Sequence, residues 1–270
     1  MRRPSTWHLV LLPMALVFAL PLLWLLVSPF MSNAQINRFP PTIIPDSLHL
    51  DGYRYVFETG RFGRWFLNSS IVAFTTVVSN LVFCSLAGYA FARMHFRGSR
   101  VLLALMLATL VIPFQLTMIP TFLLFKHLGL IDSLGALILP SLVTPFGVFL
   151  LRQFFVSLPR EIEEAAWIDG CSRLAILGKV VLPLARPALS TVAVLTLLAV
   201  WNDLTWPLIA INSDTRYTVQ LGLATYQGAH RTEWSAVMAG NVLVTIPIVI
   251  AFLLAQRTFI RSLTSTAVKG

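Results

Sequence analysis

Carboxylates are rare in this chain, with eleven Asp and Glu among 270 residues. Three of them, Glu161, Glu163 and Glu164, fall within one helical turn of each other. They open a charged stretch, "EEAAWIDGCSRLAILGKVVLPLARP" from Glu163 to Pro187, set between very apolar segments. What these residues offer is polar contact rather than bond-making. The sequence holds no H-E-x-x-H, no G-x-S-x-G and no pair of carboxylates inside an apolar run. Cys84 and Cys171 lack metal-ligand spacing, and His8, His49, His95, His127 and His230 are scattered singly. There is no G-x-x-x-x-G-K-[ST], so a P-loop for ATP is absent and any energy must come from a partner or an ion gradient.

A second set of polar residues lies inside apolar sequence. Asp203 stands in "WNDLTWP", beside Asn202 and between Trp201 and Trp206. An acid at mid-membrane costs about 2.5–3.5 kcal/mol on insertion scales, so it is expected to face a cavity or a partner group. One reading makes Asp203 a hydrogen-bond acceptor near the outer interface. The other makes the segment a kinked pathway lining, with Trp201 or Trp206 stacking on sugar faces. Gln115 lies between Pro113 and Pro120. Proline frees backbone carbonyls and bends a helix, so Gln115 belongs to a gate or pore lining, or to a packed bend. Asn80 and Asn241 read as interhelical glue.

The elements that position these residues are membrane helices. The chain is 57% hydrophobic and 11% charged, with a mean hydropathy of +0.78, whereas soluble domains carry about 25% charged residues. Charge-free runs cover 4–37, 65–92, 101–125, 133–151, 187–202 and 234–256. A spanning helix needs about 20 apolar residues. Six spans are therefore expected, at roughly 8–31, 66–92, 101–125, 133–154, 187–211 and 235–257. The first is too long for the core of a secretory signal and reads as a retained span.

With six spans both termini share one side. Thirteen of the twenty basic residues fall on that side, among them Arg2, Arg3, Arg93, Arg160, Arg173 and Lys269, and seven on the other. Positive charge marks the cytoplasm, so the termini and the 157–186 loop are assigned there. The net charge of +9 then holds loops to an anionic leaflet rather than binding nucleic acid. Residues 1–65 are expected to form the first span and an outer, proline-kinked connector with too few apolar residues for a core of its own. Residues 66–270 are expected to form a core of five spans. The outer segment 212–234 carries Tyr217, Tyr226, Gln227 and Trp234. These read as an interface belt, a contact for an outside partner, or part of a solute path.

Within the cytoplasmic loop, Arg160–Asp169 reads as a helix. Pro159 suits its start, the glutamates suit the positive end of its dipole, and Gly170 suits its stop. Ile162, Ala165, Ala166 and Asp169 follow i, i+3, i+4, i+7 spacing on one face. A helix lying on lipid would carry bulky apolar and basic faces. Small residues and acids fit docking onto a protein better. A second short helix is expected over about Ser172–Val181.

These residues carry a family resemblance. Glu164-Ala165-Ala166, then Gly170, then Val180-Val181-Leu182-Pro183 resembles the EAA–G–I-x-LP loop of ABC importer permeases, with the same spacings and Val180 in place of isoleucine. "NSSIVAFTTVVSNLVFCSLAGYAFARMHFRG", "VWNDLTWPLIAIN", "TVQLGLATYQG" and the closing "TAVKG" are similar to the maltose and glycerol-phosphate-type carbohydrate permeases. The likeness covers roughly 65–270. It implies an all-α membrane protein with a type I importer permease fold. It implies a second homologous permease subunit, two cytoplasmic ATPase subunits that use ATP and Mg, and an extracytoplasmic solute-binding protein. This chain would itself hold no cofactor or metal. The loop would be a coupling helix in a cleft of the ATPase. Ala165 and Ala166 would permit close packing, Glu164 and Asp169 polar contact, and Gly170 the turn before Leu182-Pro183. A secondary transporter or channel is the competing reading, but only Asp203 could serve as its ion-coupling acid.

Overall fold

The computed structural model describes residues 8–58, 61–228 and 232–267, with only the backbone of 8–10 and 257–267. Arg2, Arg3, His230, Arg231 and the last three residues of "TAVKG" lie outside the described residues. Helices dominate, because an apolar chain in lipid must satisfy its own backbone donors and acceptors. In chain order they are α1 (His8–Val27), α2 (Asn33–Ile36), α3 (Asp51–Glu58), α4 (Phe62–Arg93), α5 (Ser99–Ala108), α6 (Phe114–His127), α7 (Leu134–Ile138) and α8 (Pro145–Ser157). There follow α9 (Arg160–Ile168), α10 (Arg173–Ile176), α11 (Leu182–Leu184), α12 (Arg186–Trp201), α13 (Thr205–Ala210), α14 (Val219–Ala224) and α15 (Trp234–Ala267).

Among the described residues, four helical stretches are long and apolar enough to cross a membrane: Leu11–Phe30, Phe62–Arg93, Leu134–Ser157 and Trp234–Gln256. The number rises to as many as six if each of two bent pairs counts as one span. The expected third span is one such pair, bent by 103° between its halves. Pro113 explains it. Ile112, ahead of the proline, is driven to an extended ψ of 113°, and Pro113 then starts α6. The expected fifth span, 187–211, is not continuous either. Its helix stops at Trp201 and resumes as α13. Asn202 and Asp203 stop it because their side chains compete with the backbone. Asn202 Nδ2 donates to the Leu198 carbonyl at 2.9 Å, and the Asp203 carboxylate accepts the Trp206 N–H at 3.3 Å.

The chain forms two compact units. The first joins the described part of Met1–Phe66 to Val219–Ile246. The proline-rich connector shares a core with the late segment. Met31, Val56 and Trp65 are buried, as are Val219, Leu221, Leu223 and Tyr226. Gln35 braces the proline-rich stretch, donating to Thr42 Oγ1 at 3.1 Å and the Ile44 carbonyl at 2.9 Å. Asn33 binds the start of α15 in both senses. It donates to Glu233 at 2.6 Å and accepts the Ser235 N–H at 2.9 Å. Gly222 lies flat under the Trp65 indole, where a Cβ has no room. Tyr226 is packed between Tyr55 and Trp65 with centroids at 5.4 and 5.9 Å. Burial, with Tyr55 alongside, pushes its hydroxyl up to about 12. Tyr226 is thus a core residue of this unit.

The second unit takes Leu67–Thr218 and the described part of Pro247–Gly270. Here α4 and α8 touch through small residues, as membrane helices do. A Cβ on Gly88 would meet the Arg152 nitrogen at 3.1 Å and the Val148 carbonyl at 3.2 Å. Asn80 is the glue expected of it, and it is fully buried. Its amide donates to Ser141 O at 2.6 Å and Thr76 O at 3.0 Å, and its oxygen accepts from Thr144 N–H at 3.2 Å and Thr144 Oγ1 at 2.7 Å. This closes the backbone where the fourth span is broken ahead of α8.

A second polar clasp was not anticipated. Asp132, at a φ of 60°, accepts the Asn212 N–H at 3.1 Å and the Ser213 N–H at 2.9 Å. It also takes the Ser213 hydroxyl and Arg216 Nη1 at 3.3 Å. Burial raises its carboxyl, but Ser213, Asn212 and Arg216 together hold it below the usual carboxylate range.

Asn80→Leu is expected to cost about 1–3 kcal/mol, because it strands the Thr144 and Ser141 backbone groups away from water. Thermal melts in detergent measure it. For Asp132 the depressed carboxyl stabilises the fold above its unfolded pKa of about 3.9 and ceases to as pH falls through the lower folded value. The melting advantage over Asp132→Asn is therefore full at about pH 6 and shrinks below about pH 4. A constant difference across that range removes the charge from the explanation.

Candidate functional site

Helix α9 is built as its residues require. Pro159 precedes it, its first turn carries Glu161 and Glu163, and Asp169 closes it. Gly170 takes a φ of 80°, the left-handed turn that glycine permits most easily. Its N–H donates to Trp167 O at 3.0 Å, and the Cys171 N–H reaches back to Ala166 O at 3.0 Å. This pair of bonds is a Schellman stop. Ser172 then caps α10, its hydroxyl accepting the Ala175 N–H at 3.3 Å. The chain continues through a wide turn at Leu177–Val181 into α11. Pro183 accounts for the widening, since it cannot donate back along the helix. The expected second helix, Ser172–Val181, corresponds to α10 and this turn.

The face of α9 divides. Glu164, Ala165, Asp169 and Gly170 are exposed. Ala166 is half-buried and packs against the chain's own core, a cluster that includes Tyr89, Phe155, Ile176 and Val181, as do Cys171 and Leu182. Pro183 is exposed. The surfaces of α9 and α10 also present bulky apolar groups, with Ile168 85% and Leu174 72% exposed. Trp167 is more than half exposed, and the Arg173 guanidinium stacks over its ring at 5.2 Å. The open surface is therefore more apolar than alanine spacing alone suggested.

Glu163 was read only as an acid suited to a helix start. In the structure it points inward. One carboxylate oxygen accepts Tyr89 OH at 2.9 Å and the other pairs with Arg93 Nε. Arg93 Nη2 donates to Leu158 O at 2.8 Å. The Arg93 and Glu163 side chains are only 8% and 14% exposed. A cavity of about 270 Å³ lies beside this cluster, edged by Arg160, Glu164 and Trp167. The sequence signal was faint: Tyr89 and Arg93 stand one turn apart at the end of α4, but 70 residues separate Arg93 from its partner.

The membrane-embedded polar residues are also placed. Gln115 is exposed in the first turn of α6. Trp201 is buried and Asn202 exposed, and both sit at the end of α12. Asp203 is half-buried and caps the following helix. Trp206 is buried, its Nε1–H donating to Ala136 O at 2.8 Å. Its ring meets Phe114 at 5.9 Å and Phe125 at 6.0 Å. The start of α6 and the start of α13 are thus neighbours, with Trp206 engaged in packing in this conformation. Among the described residues no three His, Cys, Asp or Glu cluster as a metal site would require.

Comparisons with known proteins agree with this architecture. Residues 81–265 match the family of binding-protein-dependent transport system inner membrane components. The arabinooligosaccharides transport system permease protein AraQ of Halalkalibacterium halodurans is 39% identical across 95% of this chain and 93% of its own length. The diacetylchitobiose uptake system permease protein NgcG of Streptomyces coelicolor is 31% identical across 93% and 84%. A chain from the crystal structure of a bacterial ABC transporter involved in the import of the acidic polysaccharide alginate superposes with a TM-score of 0.82 at 24% identity, covering 96% of this chain and all of that one. With two thirds of its length in the family match and near full-length relatives, the chain belongs to the inner membrane components of binding-protein-dependent transport systems, the permease subunits of ABC importers.

Proposed function

We propose that this permease moves a carbohydrate or related polar solute across the cytoplasmic membrane by alternating access, driven by ATP that separate subunits hydrolyse. Two relatives named for arabinooligosaccharides and diacetylchitobiose support the solute class. In this reading the chain pairs with a second, homologous permease. Two ATPase subunits bind ATP and Mg from the cytoplasm, and a solute-binding protein delivers cargo outside. Both termini are cytoplasmic, by the bias of basic residues.

One observation carries the coupling role: α9 combines an open apolar and alanine face with a rigid Schellman stop, on a chain that lacks a P-loop. An exposed helix that presents bulky apolar side chains beside a small residue suits insertion into a cleft of the ATPase. Glu164 and Asp169 offer polar contacts at its rim, Ala165 allows close approach, and Ala166 and Leu182 seat the helix on its own subunit. Gly170 and Pro183 fix the turns on either side. Closure of the ATPase dimer then displaces the loop and reorients the permease pair. Gln115, Trp201, Asn202, Asp203 and Trp206 are the proposed pathway residues. For Trp206 that role requires another conformation, since here its ring is covered.

Gly170→Glu or Ala166→Arg is expected to abolish ATP-dependent uptake while the protein still inserts, assayed by uptake into cells or proteoliposomes. Normal uptake by either variant defeats the coupling role, and gradient-driven uptake by the chain alone favours a secondary transporter. For Asp203, capping predicts that Asn, which still accepts a hydrogen bond, preserves most uptake while Leu does not. Equal uptake with Leu removes Asp203 from the pathway.

A further inference from the structure

We propose that Glu163, Arg93 and Tyr89 form the joint that makes α9 and α4 move as one body, so that force applied to the loop is delivered to the second membrane span. This rests on the reading of α9 as the coupling helix. Along the chain, α9 lies far from α4, with α5 to α8 between them. The direct link is non-covalent. It is triangulated: Glu163 uses one oxygen for Tyr89 and the other for Arg93, and Arg93 also holds Leu158 O, just before α9 begins. Three bonds to two points of the α8–α9 corner fix the direction of α9 as well as its distance.

The other inward contact of α9 has a different character. Ala166 offers one methyl group to an apolar core. Such a contact is non-directional and lets a helix slide. The ion pair is directional, and its two charges are almost wholly removed from solvent. Separating them would break short, directional bonds between nearly buried charges, so the pair resists displacement. A buried ion pair is weak evidence for stability, because apolar packing often serves as well. Its value here is registry. Arg93 is the last residue of α4, a helix of 32 residues, long enough at 1.5 Å per residue to cross a bilayer. A push on α9 therefore reaches one end of a continuous rod.

The test uses the assembled transporter, with its ATPase and binding protein, in proteoliposomes, and records solute imported and ATP hydrolysed together. In Glu163→Gln and Arg93→Met, hydrolysis continues but import per ATP falls roughly fivefold or more, the lower range of couplings between sites. Tyr89→Phe, which leaves the ion pair, gives a smaller fall. Arg93→Lys, which keeps the charge and the ability to donate, retains a substantial part of the ratio that Arg93→Met loses. A purely structural role predicts that both rates fall together with the ratio unchanged. That result, or an unchanged ratio in both single variants, overturns the joint. So does an Arg93→Lys variant that assembles but has a ratio no better than Arg93→Met. Failure of the underlying reading has another signature: the wild-type complex shows no ATP-driven import, or Gly170→Glu imports normally.

Discussion

The constraint on which the structure depends is that a backbone in lipid has no water to bond. Each unpaired N–H or C=O there costs several kcal/mol. Unbroken helices meet the demand by themselves, but this permease breaks its helices repeatedly, and several of the breaks are closed by specific side chains. Asn80 closes the gap before α8, Asn202 and Asp203 close the end of α12 and the start of α13, and Trp206 takes up the Ala136 carbonyl. The polar residues of the apolar segments are mostly the fittings of those breaks.

The scarcity of acids follows from the same constraint. The buried or half-buried carboxylates are met by specific donors. Asp132 takes backbone and side-chain donors from Asn212, Ser213 and Arg216. Glu163 takes Tyr89 and Arg93. Glu233 takes Asn33. Each joins segments far apart in sequence. The exposed acids Glu164 and Asp169 differ, since they lie on the open face of α9. The division between pinned and free carboxylates separates the framework from the surface proposed to meet a partner.

Close packing supplies what polar groups do not. Gly88 lets α4 and α8 approach at backbone distance, and Gly222 accepts the Trp65 ring. Without an aqueous hydrophobic effect between lipid-facing helices, such contacts must carry the association. The proline-rich connector illustrates the reverse case. Too poor in apolar residues to fold by itself, it shares a core with residues 219–246 through Val56, Trp65 and Tyr226.

Local chemistry was legible in the sequence alone. Hydropathy located the apolar segments, Pro113 announced a bend, and Pro159, the glutamates and Gly170 delimited α9, because these signals act within a few residues of where they are written. Where the spans bend was less legible for the same reason: a charge count registers a run of apolar residues but not the 103° bend inside it. What only the tertiary structure decided were the partners. That Glu163 rather than Glu164 turns inward, that Asp132 clasps Ser213, and that Trp206 and Tyr226 are buried depends on which distant segment arrives beside each side chain. A residue's type states which bonds it needs. Only the packing of helices far apart in sequence determines who supplies them.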